Sequence, residues 1–303
     1  MKDYLKLHFI ILLWGFTAIS GKWLTLSALV VVLYRTVLAA LGTGALISWR
    51  GLKLESVQKG TIWKLMLTGA LVAAHWACFF WSARVANVSI CLVGLAGTAF
   101  WTSIFEPLIN RKSWKISELI LGLLMIGAMS LLAHFEPQYN LGLLLGLLSG
   151  LAAALFTIFN GRFTQSNPPL FITFFEMIGA GISTAFFTAW FVWMDFEPLQ
   201  WLPDSNQKPL AWYTDAANLF FLAIICTVYA YATSVELLRR ISPFVVNLSV
   251  NLEPVYGIVL AAFIFEEWYM LSWKFYSCAG LIISAVAVHP FLSQWEQKQR
   301  ESC

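Results

Sequence analysis

The sequence predicts an all-α integral membrane protein whose ten transmembrane helices form two inverted five-helix repeats. Three observations carry this prediction. Hydrophobic side chains make up 59% of the 303 residues, charged ones only 12%, and mean hydropathy is +0.74. A soluble domain averages about 25% charged residues. The apolar residues fall into ten segments, each near the roughly 20 residues a helix needs to cross the hydrocarbon core. Basic residues collect on alternate connections between segments, as the positive-inside rule requires.

The segments run at approximately 4–23, 26–48, 64–82, 88–109, 117–134, 141–161, 169–193, 216–238, 243–265 and 270–290. The first follows Lys2 and Lys6 but lacks a small-x-small cleavage site, and it reads as a retained helix rather than a signal peptide. With the N-terminus in the cytoplasm, the inner side holds Lys2, Lys6, Arg50, Lys53, Lys59, Lys64, Arg111, Lys112, Lys115, Arg162, Arg239, Arg240, Lys298 and Arg300. The outer side holds only Lys22, Arg84, Lys208 and Lys274, and Arg35 falls within a span. Both termini are then cytoplasmic. The longest outer connection, 194–215, carries Pro198, Pro203 and Pro209 and reads as an irregular cap. Most tryptophans sit at span ends, where they anchor the interface. Trp14, Trp76 and Trp101 lie inside spans instead.

The two halves echo each other. Ser113-Trp114-Lys115 precedes Gly122 and LLMIGAMSLLA; Ser272-Trp273-Lys274 precedes Gly280 and LIISAVAV. These are segments five and ten, so the repeat is five helices long, covering 1–134 and 141–292. An odd number of spans inserts the second copy upside down, and substrate sites of such folds lie near the midplane between the repeats.

Ser242 to Glu267 is the most informative stretch. It is apolar enough to span, yet carries Asn247, Asn251, Glu253 and Pro254 at mid-length. Asn247, Asn251 and Pro254 follow i, i+4, i+7 spacing, which predicts one polar helix face. A carboxylate at that depth costs several kcal/mol unless it faces a protein or water-lined interior. Pro254 frees a backbone carbonyl there.

At this point the chain resembles the EamA-type branch of the drug/metabolite transporter superfamily. The resemblance rests on Trp14-Gly15-Phe16 followed by Lys22, on Tyr34-Arg35 followed by Thr36-Val37-Leu38-Ala39-Ala40-Leu41, and on Pro254, Glu266-Glu267 and Gly280 in that order. It extends over roughly residues 8–290. Two departures stand out: Gly97-Thr98 occupies the place of Glu253-Pro254 in the first half, and Asn110-Arg111-Lys112 stands where a loop glutamate belongs. The resemblance implies a ten-helix exporter or facilitator of metabolites, amino acids among them, in a bacterial inner (plasma) membrane.

The candidate substrate-binding residues are Glu253, Asn247, Asn251, His75, Trp101 and Tyr256; Arg35 and Glu176 are candidate gating or coupling residues. Glu253 either binds an amine or proton or bonds the carbonyl freed by Pro254. Arg35 either pairs with a carboxylate or snorkels outward. Glu176, at a comparable depth from the other side, is its counterpart under inversion. His75 and Tyr229 occupy corresponding segments and are expected to face one cavity. Aromatic walls suit apolar groups and amines. Glu106-Pro107 reads as a helix-end feature, and Gly142, Gly146 and Gly150 as a packing ladder.

No GxxxxGK[ST], HExxH or GxSxG motif occurs. The five cysteines show no CxxC spacing. No cofactor, no catalytic residue, no metal site and no nucleic-acid partner are therefore expected; the partners are a small molecule and the lipid bilayer. The expected function is export of amino acid or amine-like metabolites by alternating access. The alternatives are exchange of nucleotide sugars or other phosphorylated metabolites, which the shortage of basic residues in the spans disfavours, and an intramembrane lipid-modifying enzyme.

Overall fold

A computed structural model describes residues 2–58, 60–194 and 211–266, with scattered positions between 272 and 292. All regular structure among them is helical. The order is α1 (Lys2–Gly15), α2 (Thr17–Trp23), α3 (Ala28–Trp49), α4 (Ile62–Val85), α5 (Val88–Leu95), α6 (Thr98–Asn110), α7 (Ile116–Phe135), α8 (Asn140–Phe163) and α9 (Pro169–Trp193). Then come α10 (Ala211–Phe220), a π-helical stretch (Phe221–Tyr231), α11 (Ala232–Leu237), α12 (Pro243–Val250) and α13 (Glu253–Ile264). Among the described residues, eight continuous or broken helices are long and apolar enough to cross a membrane, and α7 adds a shorter apolar stretch. The chain is an all-α membrane protein. The outer connection expected at 194–215 and the tenth segment lie largely outside the described residues, as do Trp201, Glu267 and Trp268.

Polar intrusions in the sequence become breaks in the helices. α5 runs eight residues and stops at Ala96-Gly97, where backbone bonds shorten to the i→i−3 pattern; α12 runs eight residues and stops at Asn251-Leu252 in the same way. Pro254 falls in the first turn of α13, where a missing N–H costs nothing. The break therefore precedes the proline rather than following from it.

The π-helical stretch is the third irregularity. Its wider turns are matched by Thr227, whose hydroxyl donates to the Leu222 carbonyl five residues back at 2.8 Å. Trp14 Nε1 donates to the Cys226 carbonyl at 3.1 Å, pinning α1 to this stretch. Such wide turns concentrate at functional sites.

α4 packs between α8 and α9, so the halves interlock. Its crossing with α9 is glycine-dependent: a Cβ on Gly179 would fall on the Met66 backbone, and one on Gly69 on the Glu176 carbonyl. Gly146 and Gly150 of the ladder lie against α5, where a Cβ on Gly146 would stand 2.9 Å from Gly94 Cα, and Gly142 lies against Ala86 at the end of α4. The outer surface is apolar, with Leu41, Phe186 and Phe263 exposed, as lipid contact requires. Asp3 accepts from Arg240 Nε at 2.8 Å, joining the start of α1 to the α11–α12 connection.

Candidate functional site

The breaks and the π-helical stretch converge on one central cavity. Aromatic side chains wall it: Trp14, Trp76, Phe79, Phe156 and Tyr231. Its polar lining comes from Thr17, Arg35, His75, Thr98, Thr157, Ser234, Asn247 and Glu253.

Arg35 stands eighth in α3 and is 3% exposed. Its Nε donates to Thr227 Oγ1 at 3.0 Å, and its guanidinium carbon lies 3.7 Å from the centroid of the Trp76 ring. A donor bond and a cation–π face thus hold the side chain in the protein interior. It does not snorkel. Glu253 opens α13, 4% exposed, with Thr17 as its hydrogen-bonding neighbour. A carboxylate at a helix N-terminus is favoured by the unpaired N–H groups there. Arg35 and Glu253 line the same cavity.

Asn247 reaches the cavity while its Nδ2 donates to Thr102 Oγ1 at 2.8 Å, tying α12 to α6. His75 lines the cavity with its Nδ1 held 2.7 Å from Ser149 Oγ and 3.1 Å from the Ser149 carbonyl. Three other sequence candidates lie elsewhere. Asn251 is buried at the α12–α13 break, Trp101 donates from Nε1 to the Leu147 carbonyl at 3.2 Å, and Tyr256 packs on Gly15 of α1. None of the three lines the cavity. The i→i−3 tightening at Asn251 rotates the chain off the regular helical phase, so the expected polar stripe does not continue. Tyr229 is likewise exposed, edge-on to Phe9, and Tyr231 takes the cavity position beside Trp76.

Glu176, eighth in α9 and fully buried, stands behind Tyr231 rather than on the cavity wall. Tyr231 donates to its Oε2 at 2.9 Å, and Asn160 Nδ2 approaches both Tyr231 Oη at 3.0 Å and Glu176 Oε2 at 3.4 Å. A continuous row therefore links the two buried ionisable groups: Arg35 on Trp76, Trp76 edge-on to Tyr231, Tyr231 to Glu176.

Sequence reasoning passed over Thr17, Phe156, Ser234 and Asn160, which look like ordinary span residues. It also read Glu106 as a helix end. Glu106 is buried and bridges elements, accepting from the Phe244 backbone N–H at 2.9 Å and from Lys112 at 3.2 Å. It caps the start of α12 from α6, so the first half does carry a structural glutamate, four residues before Asn110.

A second, open depression is lined by Lys112, Arg162, Arg239 and Arg240. Its cations are largely committed to the structure: Arg239 donates to the Thr164 and Asn167 carbonyls at 2.8 and 2.9 Å, Arg240 to Asp3, and Lys112 to Glu106.

The model of the EamA-like transporter family matches residues 140–289. No curated protein matches the chain. A solved structure described only as "Crystal structure of protein" is similar in fold, with a TM-score of 0.70 at 15% identity over 97% of this chain and 99% of that one. A transporter-family match over the second half, apolar helices long enough to span and a polar cavity among them agree, and the chain belongs to the EamA-like transporter family of the drug/metabolite transporter superfamily.

Proposed function

We propose that the protein exports small organic solutes bearing an amine, amino acids among them, across the inner membrane of a bacterium. The observation that carries this reading is the pairing of Arg35 and Glu253 in one aromatic-walled cavity. Arg35 takes a solute carboxylate, Glu253 its ammonium group, and the aromatic wall its side chain. Asn247 and His75 supply further polar contacts, and Arg35 and Glu176 serve as gate or coupling residues. A phosphorylated cargo would face a single buried arginine beside a carboxylate, so nucleotide-sugar exchange is disfavoured.

Alternating access would come from ten helices in two inverted repeats, 1–134 and 141–292. Two matches support the repeat: α5 and α12 each break after eight residues, and Arg35 and Glu176 each stand eighth in α3 and α9. The segregation of basic residues supports cytoplasmic termini.

Counterflow of radiolabelled phenylalanine in proteoliposomes tests the cargo class, with a labelled nucleotide sugar as comparison. Phenylalanine exchange abolished by Glu253→Gln is the expected result. Exchange of the nucleotide sugar alone would overturn the reading in favour of the phosphorylated cargo. Turnover of added lipid without flux of either would favour the enzyme.

A further inference from the structure

Three buried oxygens between α8 and α9 lack any hydrogen-bond partner among the described residues: Glu176 Oε1, Asn160 Oδ1 and Thr173 Oγ1. The Thr164 hydroxyl is a fourth. Their residues are at most 1% exposed. Asn160 touches Glu176, so the two helix faces meet there. Thr164 lies four residues after Asn160 and Thr173 three before Glu176, which places both hydroxyls on those faces, about one turn nearer the α8–α9 connection.

This is unusual within the same chain. Thr36, Thr43, Thr68, Thr98, Thr102, Thr184 and Thr227 all donate their hydroxyls to carbonyls of the preceding turn. Thr173 and Thr164 do not. Thr188 is also unpartnered, but it stands twelve residues beyond Glu176 on α9. Acceptors left open together in an interior call for a donor or a cation.

We propose that Glu176, Asn160 and Thr173, with Thr164 at the end nearer the α8–α9 connection, form a binding site for a dehydrated monovalent cation of sodium's class. A carboxylate, an amide carbonyl and hydroxyls are hard oxygen ligands, suited to alkali and alkaline-earth ions rather than to transition metals. One carboxylate balances one positive charge and leaves a divalent ion uncompensated. Tyr231 occupies Oε2 and orients the group. Arg239 bonds the Thr164 and Asn167 carbonyls at the α8–α9 connection, so the ion's place is at Glu176, away from that guanidinium. Arg35 is separated from it by the Trp76 and Tyr231 rings. The site touches the cavity through Tyr231, which would let the ion report to the cargo site; ion binding itself does not depend on which solute is carried.

The test is thermal melting of the purified full-length protein in NaCl, KCl and choline chloride at equal ionic strength, without any solute. Sodium is expected to raise the melting temperature by several degrees over choline in a saturable manner. Glu176→Gln and Thr173→Val should each remove that difference. Should Glu176→Gln fail to fold, Thr173→Val carries the test alone. Identical melting in sodium and choline would overturn the proposal. So would a sodium effect retained in Thr173→Val. Melting that responds to pH but not to sodium would assign a proton to Glu176 instead, and would equally overturn it.

Discussion

Arg35 and Glu176 occupy the same position in their helices and are both buried, yet the chain treats them differently. Arg35 is met by a hydroxyl and an aromatic face and lines the cavity. Glu176 is met on one oxygen only and stands one ring behind the cavity. Arg35 is oriented through Nε and its stacked face where it lines the cavity, whereas Glu176 keeps one oxygen without a partner away from the cavity. The difference separates a cargo-facing residue from one placed to respond to something else.

The largest effect expected concerns Arg35. Arg35→Lys keeps the charge but loses the planar group that stacks on Trp76 while donating to Thr227. Initial transport rates in proteoliposomes should fall at least ~100-fold, about 2.7 kcal/mol of transition-state stabilisation. Glu176→Gln, nearly isosteric, should lower solute counterflow less than ~10-fold, because Gln still accepts from Tyr231. Equal losses in the two variants would erase the distinction drawn between them.

A smaller effect separates the partners. Tyr231→Phe retains the ring against Trp76 and Phe156 but removes the hydroxyl on Glu176. Leaving that buried oxygen with only the long Asn160 contact should cost ~1–3 kcal/mol, seen as a lowered melting temperature. Thr227→Val leaves Arg35 stacked on Trp76 and should cost nearer ~1 kcal/mol. The reverse order would show that Arg35 depends on its hydroxyl partner more than Glu176 depends on Tyr231.

The smallest effect is at an acid outside the spans. Glu136 accepts from the Ser272 backbone at 3.2 Å and from Gln138 at 2.7 Å. Burial alone would raise its pKa, but these bonds and the Lys274 charge outweigh burial and hold it below the usual carboxylate value. A depressed folded-state pKa gives stability that is present above the unfolded value and lost as pH falls through the folded one. Glu136→Gln should therefore melt slightly below the unaltered protein at neutral pH and converge with it in acid. A constant gap across pH would show that the carboxylate charge contributes nothing.

Much of the site was visible as polar residues interrupting apolar runs. Arg35, His75, Asn247, Glu176 and Glu253 all declare themselves that way. Helix facing did not. Tyr229 and Tyr231 lie in one stretch, and the choice between them is made by the π-helical turns. Asn247 and Asn251 share a face only if the helix stays regular, and it ends at Val250 with a tightened turn at Asn251. Asn160 and Ser149 gain meaning only from Glu176 and His75, which lie on other helices.

By itself, then, the sequence determined that the chain is a helical membrane protein, where its apolar segments fall and which residues burden them. Those features follow from transfer free energies, which depend on composition over some twenty residues and little on neighbours. The tertiary structure decided which side chains meet. A helix turns about 100° per residue, so one tightened or widened turn redirects everything beyond it. The partner of each buried charge comes from a helix far away in the chain, and no local pattern records it.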